Sequence, residues 1–291
     1  MPSSTSTTPT TPSTWFITGA SRGLGAAIAR AALRAGHHVV ATGRDAAAVR
    51  AALAADASDR LLALALDVTR PDQALLAVGA ALDRFGRIDV LVNNAGYGQL
   101  GMFEDVDAAD VEAQFATNVF GLMHVTRAVL PTLRAQRSGH VFNLSSVGGW
   151  AGFAGASLYC ASKFAVEGFS ASLAPEVAPF GIRVTSVAPG FFRTDFLDAR
   201  SIRYGSGATA AQADYADASA TLRATYDGHS HQQAGDPAKL ASALLALAAH
   251  PQPPLNFVVG ADAVGMALAE IERLRGDVQA WRVLSEATEH G

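Results

Sequence analysis

The stretch Trp15-Phe16-Ile17-Thr18-Gly19-Ala20-Ser21-Arg22-Gly23-Leu24-Gly25 decides the fold. Its first four residues read as a short buried strand. A glycine cluster follows at once and leads directly into an Ala-rich helical pattern. Such a turn brings free backbone N–H groups and the positive end of the helix to one spot and leaves no side chain in the way of an anion. Gly19, Ser21, Arg22, Gly23, Leu24 and Gly25 are therefore the candidate cradle for a pyrophosphate. A lone glycine cluster would be weak evidence. Its place after a strand, before a helix and at the start of a βαβ unit gives it weight.

Working outward, short apolar runs alternate with longer helical stretches, the pattern of a parallel sheet covered by helices on both faces. Strands are expected at Trp15–Thr18, Val39–Thr42, Leu61–Leu66, Val90–Val92, His140–Leu144 and Arg183–Val187, with Asn256–Val259 as a seventh. Asp45 and the pair Pro71/Asp72 mark helix starts, and Gly36, Gly86 and Gly181 stand where helices should stop. Right-handed crossovers then close six or seven strands into a single-domain, doubly wound α/β (Rossmann) sheet, with ligands at the carboxyl ends of the strands. Residues 1–14, almost wholly Ser, Thr and Pro, read as a disordered leader, and 15–291 as the dinucleotide-binding catalytic domain. Residues 196–235 break the rhythm and read as a helical substrate flap, the alternative being a variable surface insertion.

Composition narrows the function classes. Hydrophobic residues make up 49% and charged residues 16% of 291 positions, which is a globular balance. A formal net charge of −4 without a dense Lys/Arg run argues against a nucleic-acid surface. The longest apolar stretches, such as Ala241–Ala249, fall short of the roughly 20 residues that cross a bilayer. Cys160 is the only cysteine, so no intrachain disulfide can form; a reducing, cytoplasmic setting is expected.

At the second strand end, Ala41-Thr42-Gly43-Arg44-Asp45, the position where a carboxylate would hold the ribose hydroxyls of NAD is Gly43. Arg44 stands next to it, and Arg44 with Arg22 could pair with an extra phosphate, so NADP(H) is expected, with NAD(H) possible. Asp45 is the ribose acid only if the register slips by two; otherwise it caps the next helix. Asp67 and Val68 end the third strand, and Asn93, Asn94, Ala95 and Gly96 the fourth. Both sets lie at the cofactor edge, although ordinary turn chemistry would also explain them.

The strongest constellation is Ser146 with Tyr159 and Lys163. Four residues apart on one helix, Tyr159 and Lys163 point off the same face. A phenol with an unperturbed pKa of about 10 is a poor base at neutral pH, and a nearby ammonium favours its phenolate. Ser146, just past the fifth strand, can hold a substrate oxygen while Tyr159 exchanges its proton. This points to hydride transfer between a nicotinamide and a carbonyl or alcohol carbon.

These motifs, in this order, resemble the short-chain dehydrogenase/reductase family over nearly all the chain after the leader. The resemblance rests on Thr18–Gly25, Asn93–Gly96, Asn118, Ser146, Tyr159-Cys160-Ala161-Ser162-Lys163 and Pro189-Gly190. It implies that Ser146, Tyr159 and Lys163 are catalytic, with the family's Ser-to-Tyr interval selecting Ser146 over Ser145. It also implies that Asn118 positions water for a proton relay through the lysine. Pro189, Gly190, Phe192 and Thr194 are similar to the segment that contacts the nicotinamide amide and phosphates. Cys160, Phe164, Phe191 and the region around Gly260–Ala263 look most like the branch with 17-beta-hydroxysteroid dehydrogenases and retinol-type reductases. That favours a homodimer through the long fourth and fifth helices over the common tetramer.

Tyr97, Trp150, Phe153, Phe191 and Phe196 fall at or just beyond strand ends, where an apolar substrate pocket would form; packing under the flap or at a dimer contact is the alternative. A hydrophobic ketone or aldehyde fits that pocket. NAD-dependent alcohol oxidation and non-catalytic NADP(H) sensing are the competing functions. His37/His38 and His229/His231 lack metal-ligand spacing, and no metal site is expected. The charged, Trp-containing stretch Glu270–Glu286 reads as an amphipathic helix lying on the domain or on a partner.

Overall fold

The alternating apolar residues of the strands have two destinations. Trp15 and Ile17 of the first strand point into one core and Phe16 into another; Val39 and Ala41 oppose Val40, and Val90 and Val92 oppose Leu91, in the same way. Period-two alternation of this kind buries a strand on both faces when helices cover both.

The computed structural model describes residues 12–198, 201–205 and 212–289. In chain order the elements are β1 (Thr14–Ile17), α1 (Gly23–Arg34), β2 (His38–Gly43), α2 (Ala46–Ala52), β3 (Leu61–Ala65), α3 (Pro71–Phe85), β4 (Val90–Asn93) and β5 (Gly98–Leu100). Then come α4 (Ala108–Phe115), α5 (Leu122–Gln136), β6 (Gly139–Leu144), α6 (Ser157–Val177) and β7 (Ile182–Pro189). The chain continues with β8 (Ile202–Tyr204), α7 (Gln212–His229), α8 (Pro237–Ala249), β9 (Asn256–Val259) and α9 (Ala261–Glu286). All seven expected strands pair in parallel in the order β3-β2-β1-β4-β6-β7-β9. One core holds Ile28 and Leu33 of α1 and Leu240 and Leu244 of α8. The other holds Val78 of α3, Val125 and Leu133 of α5 and Leu173 of α6. Complete burial of one such side chain is worth about 1.5–3 kcal/mol, so these two layers supply most of the drive to fold.

Local signals act as the sequence suggested. Asp45 caps α2, its carboxylate accepting from Ala47 N–H at 2.8 Å. Pro71 occupies the first turn of α3, and Gly86 ends that helix at φ +73°, a left-handed conformation that glycine enters without a Cβ penalty. Two expectations need correction. Thr14 is not leader: it opens β1, and its N–H bonds Asp89 Oδ2 at 2.8 Å. The stretch 196–235 is not only helical, since β8 pairs with β5 in a separate two-stranded parallel ribbon beside the long helix α7. Residues 1–11, and 199–200 and 206–211 of the flap, lie outside the described residues.

His140 of β6 is buried and stacks against Phe142, with ring centroids 3.9 Å apart. Its Nε2 lies 2.9 Å from Thr185 Oγ1, which itself donates to Pro254 O. The hydroxyl proton is thus committed elsewhere, and a neutral Nε2–H imidazole is the tautomer that completes the set. Burial, helped by the Arg183 charge, lowers the His140 pKa from 6.5 to about 3. Between those values the unfolded chain binds a proton that the folded chain refuses, so stability falls with acid across that window, by about 1.4 kcal/mol per pH unit. His140→Gln should flatten this dependence. Urea unfolding at pH 7 and pH 5 checks it, and equal slopes for both proteins would exclude His140 as the source.

Candidate active site

The sheet order reverses between β1 and β4, and the loops leaving these two strands diverge there to open a crevice at their carboxyl ends. Thr18 and Asn94 hold the crevice together. Thr18 Oγ1 accepts from the N–H groups of Asn94 (2.9 Å) and Ala95 (3.0 Å), and Asn94 Nδ2 donates back to the carbonyls of Thr18 (2.9 Å) and Gly19 (3.1 Å). This clasp brings two backbones so close that side chains do not fit. A Cβ on Gly25 would stand 2.5 Å from both Asn94 Nδ2 and Gly19 O, and one on Gly19, at φ +66°, would stand 2.9 Å from Ala95 Cα.

A cavity of about 430 Å³ runs along this edge. It brings together the cradle residues Gly19, Ser21, Arg22, Gly23 and Leu24, then Arg44, Asp67, Val68, Asn94, Ala95 and Gly96, and then Pro189, Gly190, Phe192 and Thr194. Ser146, Tyr159 and Lys163 line its far end, with Tyr97, Phe153, Phe191 and Phe196. Gly25 is absent from the wall because it lies behind the cradle as a packing glycine. The bare glycine cradle at the start of α1 fits a pyrophosphate. At the β2 end Gly43 offers no carboxylate, and a Cβ there would meet Val49 at 3.0 Å and Ser21 at 3.7 Å. Asp45 is spent as a cap and Asp67 accepts from Thr69 N and Oγ1.

The helix that carries Tyr159 and Lys163, α6, is fixed by buried polar bonds. Asn93 Nδ2 donates to Asn143 Oδ1 (2.9 Å), and Asn143 Nδ2 to Ser170 Oγ (2.9 Å), linking β4, β6 and α6. Lys163 Nζ donates to Leu144 O at 2.8 Å and lies 5.7 Å from the centre of the Tyr159 ring. Burial is the largest influence on both groups. It lowers Lys163 to about 8 and pushes the Tyr159 phenol well above its ordinary value, against the opposing hydrogen bond with Ser146. The expectation that the lysine charge would govern the phenol is therefore corrected: desolvation wins, because the ammonium is directed at a backbone carbonyl.

Asn118 sits in a π-helical segment, Ala116–Gly121, between α4 and α5. Single turns of this kind often accompany functional sites. Its side chain accepts from Tyr97 N–H (3.1 Å) and donates to Tyr97 O (2.9 Å) and Ser162 Oγ (3.1 Å). It stands behind the cavity wall and clamps the Gly96–Tyr97 loop. Trp150 does not line the cavity, contrary to expectation, because its indole N–H is held by Glu167 Oε1 at 3.1 Å. Arg22, which lines the cavity, also bonds through its Nη2 to Ser201 Oγ of the flap at 2.9 Å. In the same flap, ligand-type atoms of Asp195, Asp198 and His231 lie within 4.8 Å of one another, with His231 Nε2 3.1 Å from Asp198 Oδ1.

Sequence reasoning missed Leu100, Leu197, Ile202, Arg203 and Tyr226 as cavity residues. Tyr226 was visible only as an aromatic in the flap, and three-residue strands such as β5 and β8 leave no periodic signal. Asp262 was missed as well. From the first turn of α9 its carboxylate accepts from Phe191 N–H at 2.7 Å and fills the space beside Gly190, so it secures the Pro189–Phe191 turn.

Gly25→Ala should destabilise the protein by about 1–3 kcal/mol, because the intruding methyl meets backbone that cannot move aside. Denaturant unfolding measures this. Unchanged stability would show that the clasp does not depend on close backbone approach.

With this geometry in place, comparison with known proteins agrees at each level. Residues 13–204 match the short chain dehydrogenase family. Oxidoreductase BOA17 of Botryotinia fuckeliana (strain B05.10) is 42% identical over 274 residues, which cover 94% of this chain and 98% of that protein. The crystal structure of a short-chain dehydrogenase from Streptomyces avermitilis superposes with a TM-score of 0.86 at 39% identity, covering 97% of this chain and 100% of that one. A 3-ketoacyl-(acyl-carrier-protein) reductase from Brucella melitensis, solved in complex with NADH, is 25% identical with a TM-score of 0.71, over 85% of this chain and 96% of its own. The match covers most of the chain and the fold agrees, so the chain belongs to the short-chain dehydrogenase family.

Proposed function

We propose that this protein is an NADP(H)-dependent carbonyl reductase that converts a hydrophobic ketone or aldehyde to its alcohol, the reverse oxidation using the same residues. The observation that carries this reading is the partly buried Tyr159 phenol, set beside Ser146 and Lys163 on the wall of a cavity that begins in a glycine cradle. Nicotinamide, when bound, is the hydride carrier. Ser146 orients the substrate oxygen, and Tyr159 gives its proton to that oxygen as negative charge develops there. Lys163, with Asn118 behind the Gly96–Tyr97 loop, returns a proton to Tyr159. A phenol that keeps its proton at neutral pH suits reduction, because oxidation must begin from the phenolate.

Phe153, Phe191, Phe196, Leu197 and Tyr226 supply apolar wall around Tyr159, which supports a hydrophobic substrate. The Brucella melitensis relative, by its title a 3-ketoacyl reductase, offers a parallel in ketone chemistry. Preference for NADP(H) is supported by Arg44 at the cavity wall beside Gly43, a position with no carboxylate. An NAD-dependent alcohol dehydrogenase is the second reading, favoured by the engagement of Arg22 with Ser201 and by the NADH bound to that relative. Self-association through α5 and α6 is part of the proposal, with Phe120 and Phe164 exposed on that side of the chain. A buried single cysteine suits a reducing, cytoplasmic setting.

Tyr159→Phe should bind NADPH as the parent does and lose about 10²–10⁴ in turnover, the range for a positioned acid. Loss of NADPH absorbance with a panel of ketones, aldehydes and quinones measures it; binding without turnover by the parent would favour a cofactor sensor. Arg44→Ala should raise the KM for NADPH about tenfold to a hundredfold, as expected for a lost charged hydrogen bond, and leave that for NADH little changed. Equal effects on the two cofactors would favour the NAD reading.

A further inference from the structure

Only the first turns of α9 rest on the body. Ala263 and Ala267 are buried, while every residue from Ile271 to Glu289 is exposed. Eight of the fourteen large apolar side chains exposed among the described residues lie on this one helix, including Val278 at 70% and Trp281 at 65%. Sixteen residues of free helix, Ile271 to Glu286, are marginal in water by themselves, and an apolar stripe of that length marks a contact surface.

The spacing of the stripe identifies what covers it. Ile271, Leu274, Val278 and Trp281 recur at steps of three, four and three, the a and d positions of two heptads. Ile271 and Val278 occupy a, and Leu274 the first d. β-branched residues at a with leucine at d favour a parallel pair of helices. The flanking charges agree. Glu270 and Asp277 fall at g, Arg275 and Arg282 at e. In a parallel pair each g residue faces the e residue five positions on in the other helix, so Glu270 meets Arg275 and Asp277 meets Arg282, twice over by symmetry. An antiparallel pair would instead set g against g and e against e, bringing Asp277 to Asp277 and Arg275 to Arg275. Within one chain these groups make only exposed pairs, Arg273 with Glu270 and Asp277, Arg275 with Glu272 and Arg282 with Glu286. Such pairs contribute little and exchange readily. A lipid surface fits less well, since α9 carries five acidic residues (Asp262, Glu270, Glu272, Asp277, Glu286) against three arginines (Arg273, Arg275, Arg282).

We propose that α9 is a self-association helix, joining two copies of this chain in a parallel two-stranded coiled coil over Ile271–Ser285. Asp262, in the first turn of the same helix, holds the Phe191 N–H, so the contact is built on an element that also reaches the loop that closes the cavity. It is independent of any contact through α5 and α6 and adds a second two-fold axis where both form.

The test is the mass of the full chain by analytical ultracentrifugation. Ile271→Asp with Val278→Asp should halve the mass of the assembly, with thermal unfolding of the body retained. Arg275→Glu with Arg282→Glu should weaken self-association, and mixing that chain with one carrying Glu270→Arg and Asp277→Arg should restore it between the two. Val278→Cys, at a seam position that meets itself across the axis, should cross-link on oxidation, whereas Val283→Cys on the outer face should not. An unchanged mass in the Asp variant, equal cross-linking at both cysteines, or a chain that stays apart and sediments with phosphatidylcholine vesicles instead would overturn the proposal.

Discussion

The clasp between Thr18 and Asn94 is the constraint on which the site depends. It ties the loop after β1 to the loop after β4 where the sheet order reverses, through four hydrogen bonds between two backbone segments, Thr18–Gly19 and Asn94–Ala95. Parallel strands with helices on opposite faces would by themselves leave an unspecified gap at this point. The clasp sets the gap's width, and the glycines at 19 and 25 are a consequence, since the approach leaves no volume for a methyl group. Everything that lines the cavity is placed relative to this junction.

A second buried polar chain, Asn93 to Asn143 to Ser170, does the corresponding work for α6. Hydrogen bonds of this kind are worth little net in energy, but they are costly to leave unmade in a core, and so they select one seat for the helix. That seat puts Tyr159 and Lys163 deep enough for desolvation to exceed their mutual attraction. Both are biased toward the neutral form, which for a phenol is the proton donor.

Much of the fold was legible in the chain because its signals are local. Apolar runs located all seven strands of the main sheet, Asp45 and Pro71 marked helix starts, and Gly86 marked a stop. The cradle and the Tyr159/Lys163 pair were legible for the same reason, each lying within one element or one turn. The errors fall where a side chain chose a distant partner. Trp150 turned from the cavity to Glu167. The β5–β8 ribbon, three residues on each side, has too little length for a period.

The amino-acid sequence by itself determined the layered α/β architecture, the position of the glycine cradle and the shared face of Tyr159 and Lys163. Those features follow from periodicity and backbone geometry over a few consecutive residues. Tertiary structure alone decided that Asp262 of α9 would brace the Pro189–Phe191 turn, that Tyr226 would reach the cavity, and that the Lys163 ammonium would donate to Leu144 O. Each of these depends on contacts between segments far apart in the chain and on exclusion of water, neither of which is written in any short stretch of residues.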